Sequence, residues 1–175
     1  MRGRSMDQAV SRTEYRNAMA RVCAPVNVVT TNGPSGRCGF TATAMCSVTD
    51  QPPTLLVCMN SRSLQTEVFL ANGSFCVNVL TREHVKLATL FAGSEQEMAA
   101  RYAAAEWLDL PSGNQALKDA IVSFDCRLAH MHRVGTHNIF IGEIVNIRGR
   151  KDGQALLYFD RNFVHVPTQE GSFGG

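Results

Sequence analysis

The chain has 175 residues, of which 45% are apolar and 18% charged, and its net charge is +2. That suffices for one domain with a real core, while the charge is too small to argue for nucleic acid or a membrane surface as partner. No apolar stretch approaches the length of a bilayer span, and the N-terminal MRGRSMDQAV lacks the apolar run of a signal peptide. Residues 1–12 are expected to be a flexible leader in which Arg2-Gly3-Arg4-Ser5 reads as a tag remnant. The cysteines, Cys23, Cys38, Cys46, Cys58, Cys76 and Cys126, contain no C-x-x-C pair, so zinc and thioredoxin-like chemistry find no support. We read them as reduced thiols of a cytoplasmic protein.

In chain order, Ser11-x-x-Glu14 matches a capping box. Tyr15, Ala18, Met19 and Val22 follow at helical spacing, and Pro25 ends that helix. Val26 to Thr31 predicts a strand, and Asn32 to Gly36 a turn. From Phe40 to Thr49 the residues alternate, with Phe40, Ala42, Ala44, Cys46 and Val48 on one face and Thr41, Thr43, Ser47 and Thr49 on the other. Met45 is the apolar exception on the polar face. Asp50-Gln51-Pro52-Pro53 forces a turn, and Leu55 to Met59 predicts a strand buried on both faces.

Ser63 is expected to cap a helix carrying Leu64, Val68 and Ala71, which Asn72-Gly73 stops. Ser74 to Leu80 predicts a strand. Thr81 opens a helix with Leu87, Leu90 and Phe91 as its stripe, and Ser94-x-x-Glu97 opens another containing Met98, Arg101 and Tyr102. Glu106 to Gln115 is irregular. Ala120 to His132, Ile139 to Arg148 and Leu156 to Arg161 predict hairpin strands, with Arg148, Arg150 and Lys151 at a solvated turn. The tail beyond Pro167 is glycine-rich and expected to be flexible. Six or seven strands joined mostly by short turns favour an antiparallel barrel with helices outside it.

Each candidate for chemistry has a structural alternative. Small side chains from Thr41 to Ser47 suit a flat ring, and equally an ordinary hairpin. Asn60-Ser61-Arg62-Ser63 offers hydroxyls and a guanidinium to a phosphate, or merely caps a helix. His137 follows Gly135 in a bend, where its ring either faces a cavity or satisfies the loop. His130 and His132 share a strand face, but nothing completes a metal ligand set, and no metal is expected. The chain has no G-x-S-x-G elbow for His137 to serve.

Taken together, Gly39-Phe40-Thr41-Ala42-Thr43-Ala44 with Ser47-Val48-Thr49, then Phe75 to Leu80, Phe91-Ala92-Gly93, Gly135-Thr136-His137 and Leu157-Tyr158-Phe159 resemble the short-chain flavin reductases. These are the NADH-dependent reductase partners of two-component flavin monooxygenases. The likeness is strongest to the reductase components of 4-hydroxyphenylacetate 3-monooxygenases, with the flavin reductases of pyrimidine utilisation near by.

The resemblance covers residues 13–166 and implies a mainly β, FMN-binding split barrel, an antiparallel Greek-key barrel with flanking helices. It further implies a cytoplasmic homodimer that uses FMN or FAD with NADH and passes reduced flavin to a monooxygenase, without nucleic acid or membrane. It assigns flavin contacts to Thr41, Ala42, Thr43, Ala44, Met45, Cys46 and Ser47, to Asn60, Ser61, Arg62, Ser63 and Thr66, and to Phe91, Ala92 and Gly93. Nicotinamide contacts fall to His137, Tyr158, Arg161 and Phe163, with His137 also the catalytic candidate. Thr136 stands where many relatives carry aspartate.

Overall fold

A computed structural model of the chain describes residues 9–93 and 96–167. The expectations for the first eight residues, for Ser94 as a helix cap and for the glycine-rich tail lie outside the described residues. Helix α1 (Arg12–Met19) is capped by Ser11, which accepts from the Glu14 amide while the Glu14 carboxylate accepts from the Ser11 amide. It ends three residues short of Val22, and none of its residues is buried.

The chain then forms β1 (Ala24–Pro25), β2 (Asn27–Gly33), β3 (Gly36–Ala42), β4 (Met45–Asp50) and β5 (Pro53–Asn60). Helix α2 (Thr66–Asn72) leads into β6 (Ser74–Val79), a short 3-10 turn, α3 (Val85–Ala92) and α4 (Met98–Ala103). The rest is strand: β7 (Trp107–Asp109), β8 (Gln115–Leu117), β9 (Val122–Val134), β10 (His137–Gly149), β11 (Gln154–Phe159) and β12 (Asn162–Pro167).

Seven strands form one antiparallel sheet in the order β3-β2-β6-β9-β10-β5-β4. Its two edge strands, β3 and β4, are consecutive in the chain and separated only by Thr43 and Ala44. Two residues join opposite edges only if the sheet curls round and the edges meet. They do meet: β3 lies against β5, and the Cys58 amide, one rung beyond the β4–β5 ladder, donates to Ala44 O at 3.0 Å. The run expected as one strand from Phe40 to Thr49 is therefore broken in the middle, and the break reverses the faces. Met45, expected on the polar side, packs against the barrel core. Cys46 and Val48, expected on the apolar side, are exposed.

The barrel interior holds Val29, Leu55, Val57, Met59, Phe69, Phe75, Val77, Cys126 and Phe140. In β5 the buried set is Leu55, Val57 and Met59, whereas Leu56 and Cys58 are only half-buried, so this strand is not covered on both faces as expected. A second cluster lies between the barrel and α3–α4, built from Val28, Leu80, Leu87, Phe91, Tyr102, Leu117 and Leu156. The three-stranded sheet β1-β11-β12 is stitched to the barrel by Leu80 N to Val26 O, Val26 N to Leu156 O and Leu156 N to Leu80 O, each 2.9–3.0 Å.

Four local departures have simple causes. The α2 helix starts at Thr66, not Ser63, so Thr66 and Phe69 face inward while Leu64 is 93% exposed and Ala71 faces solvent. Helix α4 begins after Glu97, whose side chain makes no cap bond. The stretch expected to be irregular contains the β7–β8 hairpin, held by Gln115 on Asp109 at 2.8 Å. The chain also continues past Arg161 into β12, through a two-residue turn at Asp160 and Arg161 with φ of 47° and 64°. Such hairpin turns favour asparagine and glycine. Here the end of α1 holds the turn instead, with Asp160 N on Ala20 O at 2.7 Å, Arg21 beside Asp160 at 3.1 Å and Arg161 on Asn17 at 2.7 Å.

Gly142 shows how tightly the barrel is filled. A Cβ there would lie 2.5 Å from Phe75 Cζ and 2.8 Å from Cys126 Cβ. Gly142→Ala is expected to cost about 1–3 kcal/mol by overpacking. A thermal melt should show the Tm lowered by several degrees, and an unchanged Tm would mean that the barrel gives way there.

Candidate active site

The strand break opens onto a cleft of about 600 Å³. One wall is Phe40, Thr41, Ala42, Thr43 and Ala44; the opposite wall is Cys58 to Asn60 with Arg62 to Gln65. Phe91, Ala92, Gly93 and Arg101 close one side and His137 another. Just ahead of that wall a side chain has no room. Gly39 passes so close to α3 that a Cβ would lie 2.9 Å from Val29 O and 3.0 Å from the Phe91 ring. Thr41 Oγ1 donates to Ala88 O at 2.6 Å and Tyr102 donates to Cys38 O at 3.0 Å, which fixes α3 and α4 against β3. The Phe91-Ala92-Gly93 turn is thereby set over the slot, with Phe91 edge-on to Tyr102 at 5.4 Å.

The break also frees backbone groups. Met45 N donates to Thr43 O at 3.1 Å, whereas the amides of Thr43 and Ala44 donate to no described protein group. On the opposite wall Asn60 Oδ1 accepts from Arg62 N at 3.0 Å and Ser63 Oγ accepts from Gln65 N at 3.3 Å. These turns present the Arg62 and Ser63 side chains to the cleft ahead of α2. His137 opens β10, paired with Asn60, and Ser61 N holds Thr136 O at 3.0 Å. Thr136 Oγ1 lies 3.1 Å from His137 Nδ1.

A second cleft of about 780 Å³ lies beside the first. It is lined by Tyr15, Arg16, Met19 and Val22 of the α1 region, by Ala24, Tyr158 and Arg161, and by Thr43, Ala44 and His137. The last three residues line both clefts, so the two spaces share a wall. Phe163 lines neither but packs edge-on against Tyr158 at 5.5 Å. Ser61 and Thr66 line a smaller neighbouring groove with Arg62 and Ser63.

Eleven of the expected residues therefore meet in the first cleft: Thr41, Ala42, Thr43, Ala44, Asn60, Arg62, Ser63, Phe91, Ala92, Gly93 and His137. Met45, Cys46 and Ser47 lie past the break on β4 and do not line it. Among the described residues no cluster of three metal-ligating side chains occurs. Asp125, near His130 in sequence, is buried elsewhere, accepting from Ser112 at 2.8 Å and Asn114 at 2.9 Å. Six lining residues were not expected at the site, and two of them, Arg101 and Gln65, carry long polar side chains. Arg101 sits in an amphipathic helix pattern, and Gln65 lies between the turn and α2. Gln65 Oε1 is buried with no hydrogen-bond partner among the described residues, an acceptor that a ligand hydroxyl or N–H would satisfy.

Small residues at the slot, two free amides, an unfilled buried acceptor and an adjoining cleft make this the candidate site of the split barrel. Comparison with known proteins gives the family. The model of the flavin reductase like domain matches residues 19–167. An FMN reductase (NADH) RutF of Pantoea ananatis is 50% identical over 157 residues, covering 90% of this chain and 82% of the relative. The 4-hydroxyphenylacetate 3-monooxygenase reductase component of Pseudomonas aeruginosa is 47% identical over 150 residues, covering 85% and 88%. A crystal structure assigned to a flavin reductase of Haemophilus somnus superposes with a TM-score of 0.86 at 42% identity, over 90% of this chain and all of that one. The chain belongs to the flavin reductase like family and is a flavin oxidoreductase.

All six cysteines are free thiols. Cys58 borders the cleft, and burial together with the nearby Cys46 pushes its thiol up. Burial raises Cys38 and Cys126 to about 12 and Cys76 well above the ordinary value. The thiolate is the reactive form. Alkylation of the native protein near neutral pH, followed by mass spectrometry, should label exposed Cys23 and Cys46 first. Cys58 should follow only as pH rises through its raised value, with the three core thiols silent. Early labelling of Cys58 would contradict the packing at the break.

Proposed function

We propose that this chain is an NADH-dependent flavin reductase whose first cleft takes FMN (or FAD) and whose second takes the nicotinamide. The observation that carries the reading is the wall shared by the two clefts at Thr43, Ala44 and His137. Bound flavin supplies the redox chemistry, accepting a hydride from NADH. The chain positions and excludes. Thr41 to Ala44 seat the ring, and the amides of Thr43 and Ala44 donate to its polar edge, where negative charge gathers on reduction. Met45 to Ser47 contribute the continuation of that edge, though the Met45 amide is already spent on Thr43 O. Asn60 to Ser63, with Thr66 behind them, hold the phosphate end. Phe91 to Gly93 cover the ring. His137, Tyr158, Arg161 and, through its packing on Tyr158, Phe163 orient the nicotinamide. No general acid or base is needed, in keeping with the missing triad.

In this reading the domain spans residues 13–166, and the protein works in the cytoplasm as a homodimer. The exposed Tyr15, Met19 and Val22 beside the second cleft support that state, because an uncovered apolar stripe next to a site is a usual mark of an interface. Among the described residues no helix is long and apolar enough to cross a membrane. Reduced flavin passes to a partner monooxygenase, in our reading one of the 4-hydroxyphenylacetate type. A partner in pyrimidine utilisation is the second reading, favoured by the 50% identity to the RutF relative against 47% to the other.

Mixed with NADH and FMN, the protein should deplete the nicotinamide absorbance catalytically; binding without turnover would overturn the reductase reading. His137→Ala should lower kcat/KM for NADH by roughly tenfold or more with little change in flavin affinity, and unchanged kinetics would remove His137 from the site. Light scattering should give twice the mass of one chain, and a monomeric mass would contradict the dimer.

A further inference from the structure

The first cleft contains a charge that the reading above leaves unused. Arg101 is 5% exposed and lines the cleft together with Arg62 and Ser63. Its Nε donates to Gln96 O at 3.0 Å, and no other partner of its side chain occurs among the described residues. Among the described residues no ion pair reaches it. The guanidinium groups lining the cleft are those of Arg62 and Arg101, and no carboxylate among the described residues lines it. An isolated buried charge is costly unless paired. A guanidinium keeps its charge when buried and presents a planar fork of donors matched to phosphate oxygens. With Nε spent on Gln96, the two terminal nitrogens remain available.

The structure around Arg101 places it as more than a core residue. The neighbouring Tyr102 is tied to Cys38 O and to the Phe91 and Trp107 rings, so α4 is clamped against β3. Trp107 Nε1 also donates to Tyr102 O at 2.9 Å. The clamp holds the Arg101 position at the cleft without needing Arg101 itself. A side chain present only to pack would be better as leucine or methionine, which carry no desolvation cost.

We propose that Arg101 is an anion-binding residue for the flavin phosphate, acting with Arg62 and Ser63 of the same cleft, and so making the site selective for phosphorylated flavin over riboflavin. This rests on the reading of the first cleft as the flavin site. The ligand chemistry is a phosphate ester, which FMN and the pyrophosphate of NADH both carry, and the shared chemistry is resolved by testing them separately.

The test is equilibrium binding, measured by quenching of flavin fluorescence, for FMN and for riboflavin with wild-type protein, Arg101→Gln and Arg101→Lys. A charge-assisted contact of this kind corresponds to a roughly tenfold to hundredfold change in affinity. Arg101→Gln should weaken FMN by about that factor while riboflavin changes far less. Arg101→Lys, which keeps a point charge but loses the fork, should fall between. In the wild-type protein, inorganic phosphate should weaken FMN binding and leave riboflavin binding largely alone, a measurement that needs no variant to fold. Equal losses for FMN and riboflavin would place Arg101 on the ring instead and overturn the proposal. So would loss of NADH affinity with FMN retained, or an FMN-to-riboflavin ratio indifferent to both substitution and phosphate. Failure of the reductase reading would appear separately, as flavin that binds with the expected ratio but is not reduced by NADH.

Discussion

Two residues, Thr43 and Ala44, carry the chain from one edge of a seven-stranded sheet to the other, and the hydrogen bond from Cys58 N to Ala44 O extends the β4–β5 ladder up to that link. Most barrels close by pairing first and last strands along their length. Here closure is made by a break, and a break leaves amides without ladder partners and side chains without room to be large. The slot is a consequence of how the barrel shuts. Ahead of it Gly39 leaves no room for a Cβ, and Thr41 bonds Ala88 O, and this close approach of α3 brings Phe91-Ala92-Gly93 over the opening.

The same closure explains why two clefts lie side by side. His137 stands at the start of β10, beside Asn60 at the end of β5, so the end of the β9–β10 hairpin forms a post between them. The second cleft is walled on its far side by α1 and by the turn at Asp160 and Arg161, which α1 holds in a conformation that side chains rarely adopt unaided. An element with no buried residues of its own thus earns its place by shaping a site. Chemistry that moves a hydride between two cofactors needs little more from a protein than such a pair of facing pockets.

Much of this was legible in the sequence, and the rest failed for identifiable reasons. The Ser11 capping box, the Gly73 and Gly93 helix ends, the proline turn before β5 and the long β9–β10 hairpin follow from local chemistry that tertiary contacts do not overrule. The alternation from Phe40 to Thr49 was misleading because a period-2 pattern carries no sign of a break, and a one-residue slip in phase at the break reverses every face after it. The resemblance places Cys46 and Ser47 among the flavin contacts, and the structure sets them past the break on β4. The β12 strand was invisible because its turn is stabilised by a distant helix rather than by glycine or asparagine. Arg101 looked like the polar face of a helix, and only its burial in a cleft without carboxylates sets it apart. The family resemblance supplied roles for residues; the geometry supplied which of them share a cavity.

The central claim is that the break at Thr43–Ala44 forms the seat of a planar heterocycle. A crystal structure of the protein grown with FMN tests it most directly. The account predicts the ring lying against Thr41 to Ala44 under the Phe91-Ala92-Gly93 turn, with His137 on its open side. A ring bound at any other surface, or a slot closed by the chain itself in the presence of saturating FMN, would contradict it.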